Sequence, residues 1–169
     1  MAVIMSTGTS LDEINRLQLK SGVILAPDYI DFLLKFNGMF IGNDSYCTME
    51  FSTMENKEID FQELYGIKTK NINFDIIEAN KIRDEVLALE KPFVIGADPG
   101  GNPFLINGTG NDSRIYYWDR THLNIESIPD YLEKEEEGDI YIYTATFTDF
   151  YRIIRSSIGG DVNEKIEKI

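Results

Sequence analysis

Apolar side chains recur at helical spacing in two segments near the start of the chain. The first, "SLDEINRLQLKSG", begins with Ser10 and Glu13, whose spacing predicts a capping box. The second, "APDYIDFLLKFNG", has Pro27 in its first turn and ends with Asn37 and Gly38, residues that tolerate the left-handed backbone of a helix end. Its apolar positions are Tyr29, Phe32, Leu33 and Phe36. We therefore predict two short helices that face one core.

The middle of the chain has a weaker pattern. "MFIGNDSYCTMEF" predicts a strand with a polar loop, and "KEIDFQELYGI" alternates around Ile59 and Phe61, which predicts a second strand. "FDIIEANKIRDEVLAL" has helical spacing and stops before Pro92, which cannot continue a helix. We predict one helix there.

Short β-rich runs dominate the second half. "PFVIG", "NPFLIN" and "RIYYWD" are joined by the turn formers "ADPGG" and "GTGNDS", and "IYIYTAT" is a further β-prone run. We predict strands near 93–96, 103–106, 114–118 and 140–145 in one sheet. "TDFYRIIRSSI" predicts a last helix with Thr148 as its N-cap. The tail "GGDVNEKIEKI" is expected to fray or to form a loose helix.

These elements predict a single α+β domain over residues 1–169, with a central, largely antiparallel sheet flanked by N-terminal and C-terminal helices. A chain of 169 residues is long enough to bury one core. We expect that core to span about 10–158, with loose ends.

The composition is strongly acidic: 29 Asp and Glu residues against 16 Lys and Arg residues give a net charge of -13. Such a field repels nucleic-acid backbones and anionic lipid surfaces, so we expect no nucleic acid and no membrane as partner. It attracts a basic protein, although acidity can also serve solubility alone. Both interpretations remain open at this point.

Cysteine usage and hydropathy indicate the compartment. Cys47 is the only cysteine, which excludes an intramolecular disulfide and a multi-cysteine zinc site. No signal-peptide core opens the chain, and no apolar run reaches the roughly 18 residues of a membrane span. We expect a bacterial protein that stays in the cytoplasm.

The stretch from Gly96 to Gly110 is rich in glycine, asparagine and aspartate. A phosphate site needs a lysine and a helix after its glycines, but strand-like runs follow here. The order of residues from Asp98 to Asp112 also differs from that of a calcium loop. We expect no cofactor and no metal ion, and we predict that four glycines serve backbone turns: Gly96, Gly100, Gly101 and Gly108.

His122 is the only histidine, so a two-histidine mechanism cannot form. Asp119 with His122 could make an acid/base pair, and Cys47 with His122 a nucleophile pair, but neither lies in a recognisable catalytic motif. A small hydrolase or metal enzyme is therefore the least favoured interpretation. We expect no catalytic residue and no enzymatic activity.

Aromatic and acidic residues supply the candidate partner surface. "IYYW" places rings on both faces of a strand; most of them are expected in the core, with an exposed member as a contact. The run "LEKEEEGD" is either a solvated loop or a patch for a basic partner. The candidate partner-binding residues are Trp118, Asp119, His122, Glu133, Glu135, Glu136, Glu137 and Asp139.

One set of residues has a distinctive order and spacing: Pro27, Tyr29, Phe32, Leu33, Asn37, Gly38, Gly96, Gly101, Asn102, Tyr117, Trp118 and Asp119. This set resembles the SUKH superfamily, which includes fungal cell-wall assembly regulators of the Smi/Knr type and many bacterial toxin-immunity proteins. The resemblance covers roughly Ile24 to Ile154. Ala26 and Met39 depart from the leucine and glycine that the family favours there.

The resemblance implies a SUKH-like fold in which the matching residues chiefly hold the structure. It also implies a non-enzymatic protein-binding module, an immunity protein that neutralises a polymorphic toxin of nuclease or deaminase type. The partner is then a basic toxin domain. The alternative is a regulatory scaffold of the Smi/Knr type in cell-wall or signalling processes.

Overall fold

The fold of residues 3–121 and 139–169 is described by a computed structural model. The helices are α1 (Leu11–Ser21), α2 (Pro27–Lys35), α3 (Ile76–Ala79) and α4 (Phe147–Ser157). The strands are β1 (Val3–Met5), β2 (Met39–Ile41), β3 (Ser45–Glu50), β4 (Glu58–Asp60), β5 (Glu63–Leu64), β6 (Pro92–Ala97), β7 (Pro103–Asn107), β8 (Ile115–Trp118), β9 (Ile140–Thr144), β10 (Ile158–Gly160) and β11 (Glu164–Ile166). The predicted single α+β domain is confirmed.

The strands form two sheets. The large sheet has the order β11-β1-β2-β5-β6-β7-β8-β9, and each pairing in it is antiparallel except the parallel pair of β1 and β11. The small sheet has the order β10-β3-β4 and is antiparallel. The four strands predicted to share one sheet are β6 to β9, which lie side by side, so that prediction is confirmed.

Helix α1 begins and ends at the predicted caps. Ser10 Oγ accepts the backbone N–H of Glu13, and Gly22 ends the helix in the left-handed conformation, with φ of 70°. Only half of the capping box forms, because the Glu13 carboxylate binds the side chains of Arg16 and Lys68 instead of the backbone of Ser10. The local sequence pattern thus fixes the start of the helix but not the partner of its carboxylate.

Helix α2 also lies where its sequence predicts. Pro27 occupies the first turn, and Asn37 and Gly38 follow the helix with φ of 44° and 118°. The side-chain amide of Asn37 donates to the carbonyl of Ile67 and accepts its N–H, which holds the left-handed residue in place. The expected core positions Tyr29, Phe32 and Leu33 are buried, and Phe36 is half-buried.

Helix α4 has a different N-cap from the predicted one. The cap is Thr146, whose hydroxyl oxygen accepts the backbone N–H of Asp149. Thr148 lies inside the first turn, where its backbone N–H and its hydroxyl both donate to the carboxylate of Asp28 in α2. The prediction of Thr148 was wrong because an acceptor from another helix satisfies its N–H.

Two further predictions needed correction. The helix predicted before Pro92 is a short α3 followed by a 3-10 segment, Asn80–Glu85. The Asn80 amide bonds both backbone groups of Val94 and the carbonyl of Ile76, which ties this segment to β6. The single strand predicted in "KEIDFQELYGI" is divided into β4 and β5, which belong to different sheets.

The tail was predicted as a frayed or loosely helical end, and this prediction was wrong. It forms β10, which pairs with β3, and β11, which pairs with β1. The N-terminal end is likewise ordered from Val3. The C-terminal strands β10 and β11 each form an edge of a sheet, and β1 lies between β11 and β2.

Both faces of the large sheet are covered. The inner face packs against α1, α2, α4 and the small sheet in the main core. On the outer face a second cluster joins side chains of β6 to β9 to Val86 and Leu89 in the segment after α3. No helix in the described ranges is both long enough and apolar enough to cross a membrane.

Candidate protein-interaction surface

The aromatic run of β8 lies in the interior. Every residue of this strand is buried, and Trp118 is 0% exposed. Tyr117 belongs to the main core, whereas Tyr116 and Trp118 belong to the outer-face cluster. The expected core packing of most rings is confirmed. The expected exposed ring is not found, because side chains cover both faces of the sheet at this point.

Asp119 directly follows β8, and Asp139 directly precedes β9, with which β8 is paired. The Asp119 carboxylate accepts the backbone N–H and the hydroxyl of Thr121, and its own N–H donates to the carbonyl of Asp139 at 2.8 Å. Asp119 is buried and Asp139 is half-buried. The remaining predicted contact residues lie outside the described residues: His122, Glu133, Glu135, Glu136 and Glu137.

A buried carboxylate organises the turn between β6 and β7. Asp98 accepts the backbone N–H and the side-chain amide of Asn102 and the hydroxyl of Tyr117, each at 2.8 Å. Asn102 in turn accepts the N–H of Arg120 at 2.7 Å. Burial, with the Asp98 charge as a further cause, raises the pKa of Tyr117. These residues join the ends of three strands, so their chemistry serves the fold.

A second carboxylate lies at the same end of the sheet, on β5. Burial raises the pKa of Glu63, and its hydrogen bond with Tyr65 only partly offsets this effect. Burial and the neighbouring Glu63 carboxylate raise the pKa of Tyr65. Among residues 3–121 and 139–169, no three His, Cys, Asp or Glu side chains are grouped to hold a metal ion.

Cys47 is buried below the small sheet. Its thiol lies 3.6 Å from the carbonyl of Ile154, to which it donates. Burial, followed by the charge of Asp60, raises the pKa of this thiol to about 12. The thiol is therefore protonated at neutral pH, whereas a nucleophilic cysteine must be a thiolate.

Gly96 was predicted in a turn but lies within β6, and three of the four glycines have a geometric reason for their small size. Gly101 has φ of 84° in the turn between β6 and β7. A Cβ on Gly96 would lie 2.3 Å from the carbonyl oxygen of Glu63, and one on Gly108 would lie 2.5 Å from Cβ of Val23. Gly100 meets only a side-chain oxygen at 3.3 Å. The glycines thus shape turns and close strand contacts.

The small sheet carries an acidic surface that was not predicted from the sequence. Its outward side chains, here called the small-sheet face, are Tyr46, Thr48, Glu50, Glu58 and Asp60. They alternate along β3 and β4 with buried side chains that face the core. In "SYCTME" and "EID" polar and apolar residues alternate, which predicts one exposed face on each strand. This alternation does not reveal that the two strands pair and join their faces into one surface.

A groove of about 310 Å³ adjoins this face. Buried Ile41 and Phe61 lie among its apolar walls, and Asp60, Gln62 and Pro99 contribute polar or exposed positions. Because Pro99 lies within the turn that Asp98 organises, the groove connects the small-sheet face to the polar end of the large sheet. One continuous surface therefore combines apolar walls with carboxylates.

These features define an α+β domain whose buried polar groups hold the fold and whose small sheet presents an exposed acidic face. The chain belongs to the SMI1 / KNR4 family (SUKH-1), which matches residues 8–153, so the resemblance seen in the sequence is confirmed. Members of this family bind protein partners and are generally non-catalytic. No curated protein sequence matches the chain.

Proposed function

We propose that this chain is an immunity protein that binds a cognate bacterial polymorphic toxin, of nuclease or deaminase type, and neutralises it without catalysis. The observation that carries the proposal is the small-sheet face, where three carboxylates project from strands that contain no lysine or arginine. The chain as a whole is also acidic, with a net charge of -13.

The chemistry of the proposed partner explains this charge. An enzyme that acts on nucleic acid needs a basic surface to hold the phosphate backbone. An acidic protein that covers this surface competes with the substrate and associates quickly, because complementary fields steer the encounter. Binding of this kind takes place in the cytoplasm, where such a toxin would meet its substrate.

The test is a titration of the toxin domain encoded beside this gene. We expect its activity on nucleic acid to fall linearly with added protein and to vanish at about one equivalent, with a 1:1 complex in light scattering. Full toxin activity in several-fold excess of this chain would refute the proposal. Specific association with several proteins of its own cell, without inhibition of a toxin, would instead support a Smi/Knr-type regulatory scaffold.

The acidic run that lies outside the described residues is a proposed contributor to steering. Replacing four glutamates together by glutamine should slow association, because the change removes charges that attract a basic partner. It should also reduce the salt dependence of the association rate, because salt screens this attraction over about 8 Å at physiological concentration. The four are Glu133, Glu135, Glu136 and Glu137. A matched control removes the same charge from exposed positions elsewhere: Asp31, Asp84, Glu90 and Glu167. Equal on-rates and salt slopes for the two variants would exclude a specific role for the run.

A further inference from the structure

The small-sheet face holds two like charges directly opposite each other. Glu50 of β3 is paired in register with Glu58 of β4, and both side chains are exposed. Side chains in such an antiparallel pair have Cβ atoms about 5 Å apart, and like charges at that distance destabilise the pairing. The three strands contain no lysine or arginine, and the nearest basic residue in the sequence is Lys57, which is exposed and directly precedes Glu58. A cation from outside would relieve the repulsion.

An aromatic ring lies beside these carboxylates. Tyr46 is 62% exposed, although it lies in the middle of three paired strands. Its ring rests on Gly159 of β10, where a Cβ would come within 2.4 Å of the ring carbon Cζ. The glycine therefore lets the ring lie against the backbone, while most of the ring surface remains in solvent. Tyrosine in this state supplies binding area at low entropic cost.

The adjoining groove has room and polarity for one long cationic side chain. Its apolar walls, which include Phe61, can cover the aliphatic stem of such a residue. Asp60 accepts the Thr48 hydroxyl on Oδ1 at 2.8 Å, and no described residue donates to Oδ2. A planar guanidinium can pair with this carboxylate and stack on the neighbouring Tyr46 ring, which a compact ammonium group does less well.

We propose that the small-sheet face and its groove form the docking site for an arginine-bearing segment of a basic protein. The arginine stem lies on the apolar wall of the groove, its guanidinium pairs with Asp60 and stacks on Tyr46, and neighbouring cations offset the charges of Glu50 and Glu58. The identity of the basic protein as a toxin rests on the proposed function. The chemistry of the docking site does not depend on that identity.

The test uses the whole chain and two blocked peptides, acetyl-Gly-Arg-Gly-Arg-Gly-amide and its citrulline counterpart, which keeps the shape but lacks the charge. Titration followed by amide NMR at about 150 mM salt should give saturable shifts at Tyr46, Thr48, Asp60 and Gln62 with the arginine peptide only. Tyr46→Ala and Asp60→Asn should each weaken this binding by about 3-fold or more, as expected for losing one stacking or charge-assisted contact. Asp84→Asn is the charge-matched control, since its side chain is 96% exposed and lies outside the site.

Three outcomes would overturn the docking site: no saturable shifts, shifts spread evenly over exposed acids, or equal weakening by Asp84→Asn and Asp60→Asn. Spectra of the free variants show whether each substitution preserves the fold, and Asp60→Asn keeps the assay informative if Tyr46→Ala disturbs the strand. Peptide binding at this face without neutralisation of any toxin would refute the proposed function alone. Toxin neutralisation without peptide binding here would refute the docking site alone.

Discussion

Tyr29 and Tyr117 are both buried, but only the hydroxyl of Tyr117 has a hydrogen-bond partner among the described residues. Tyr29 is 0% exposed, its ring centroid lies 4.8 Å from that of Phe147, and its hydroxyl has no hydrogen-bond partner in the described part of the chain. The Tyr117 hydroxyl, also buried, donates to the Asp98 carboxylate at 2.8 Å. Burial raises the pKa of both phenols. Removing each oxygen should therefore change stability in opposite directions.

Tyr29→Phe removes a hydroxyl whose desolvation is uncompensated. Burying such a group costs about 1–3 kcal/mol, and the lost packing of one oxygen offsets part of the gain, so we expect a stabilisation of about 1 kcal/mol. Tyr117→Phe removes a hydrogen bond to a carboxylate and should cost about 1.5–3 kcal/mol. In a domain of this size each kcal/mol shifts Tm by about 2–4 °C, upward for the first variant and downward for the second.

Urea and thermal unfolding followed by circular dichroism measure both changes. In an Asp98→Ala background Tyr117→Phe should lose most of its cost, because the two side chains form one interaction. A loss of about 1 kcal/mol or more in Tyr29→Phe would show that its hydroxyl has a partner in solution. Equal stability of Tyr117→Phe and the unmodified chain would refute the assigned role of the Asp98 bond.

Three further changes test the electrostatics and the turns. Burial alone would raise the pKa of Asp112, but hydrogen bonds from Arg114 and Tyr116 lower this pKa to about 2. The stability that the ionised Asp112 carboxylate contributes is therefore complete above about pH 4 and is lost as pH falls through the folded-state pKa. Asp112→Asn should therefore cost about 1 kcal/mol at pH 7 after solvent screening, and nothing in strong acid; a pH-independent difference between the two proteins in urea titrations would contradict this. Burial raises the pKa of Glu63, so the fold favours the protonated carboxyl and loses stability as pH rises and this group ionises. Glu63→Gln should therefore stabilise the protein at pH 7, and the same urea titrations should show no stabilisation in acid. Gly101→Ala should lower the free energy of unfolding by roughly 1 kcal/mol because φ is 84°, and unchanged urea midpoints would show that the turn relaxes at no cost.

Local signals were sufficient for the helices α1 and α2 and for strands β6 to β9. The Ser10 cap, Pro27 and the left-handed pair after α2 each act within a few residues of the element they define. The meander was likewise predictable, because short β-rich runs with glycine turns between them pair with their neighbours in sequence. The two hydrogen bonds between the Asn37 side chain and the backbone of Ile67, 30 residues away, could not be predicted from local sequence.

Contacts between distant parts of the chain account for the errors. The tail becomes two strands only because β1 and β3 provide open edges, and its polar sequence shows no alternation that would reveal them. Trp118 is hidden because the segment after α3 covers the outer face of the sheet, and that segment is itself held by Asn80 across 14 residues. Alternation along β8 predicts two faces but not what covers each of them.

The distribution of satisfied polar groups separates folding from binding in this domain. Asn37, Asn80 and Asp98 are each bonded to groups on a neighbouring element, so these residues are committed to the fold. On the small-sheet face the opposite holds, because Glu50 and Glu58 lie directly opposite each other and the three strands contain no lysine or arginine. A local pairing rule that is broken at an exposed surface is the kind of exception expected at a functional site. In the proposed docking site, cations of a basic partner lie beside these two carboxylates, so the in-register pair of like charges is the feature that the proposal explains.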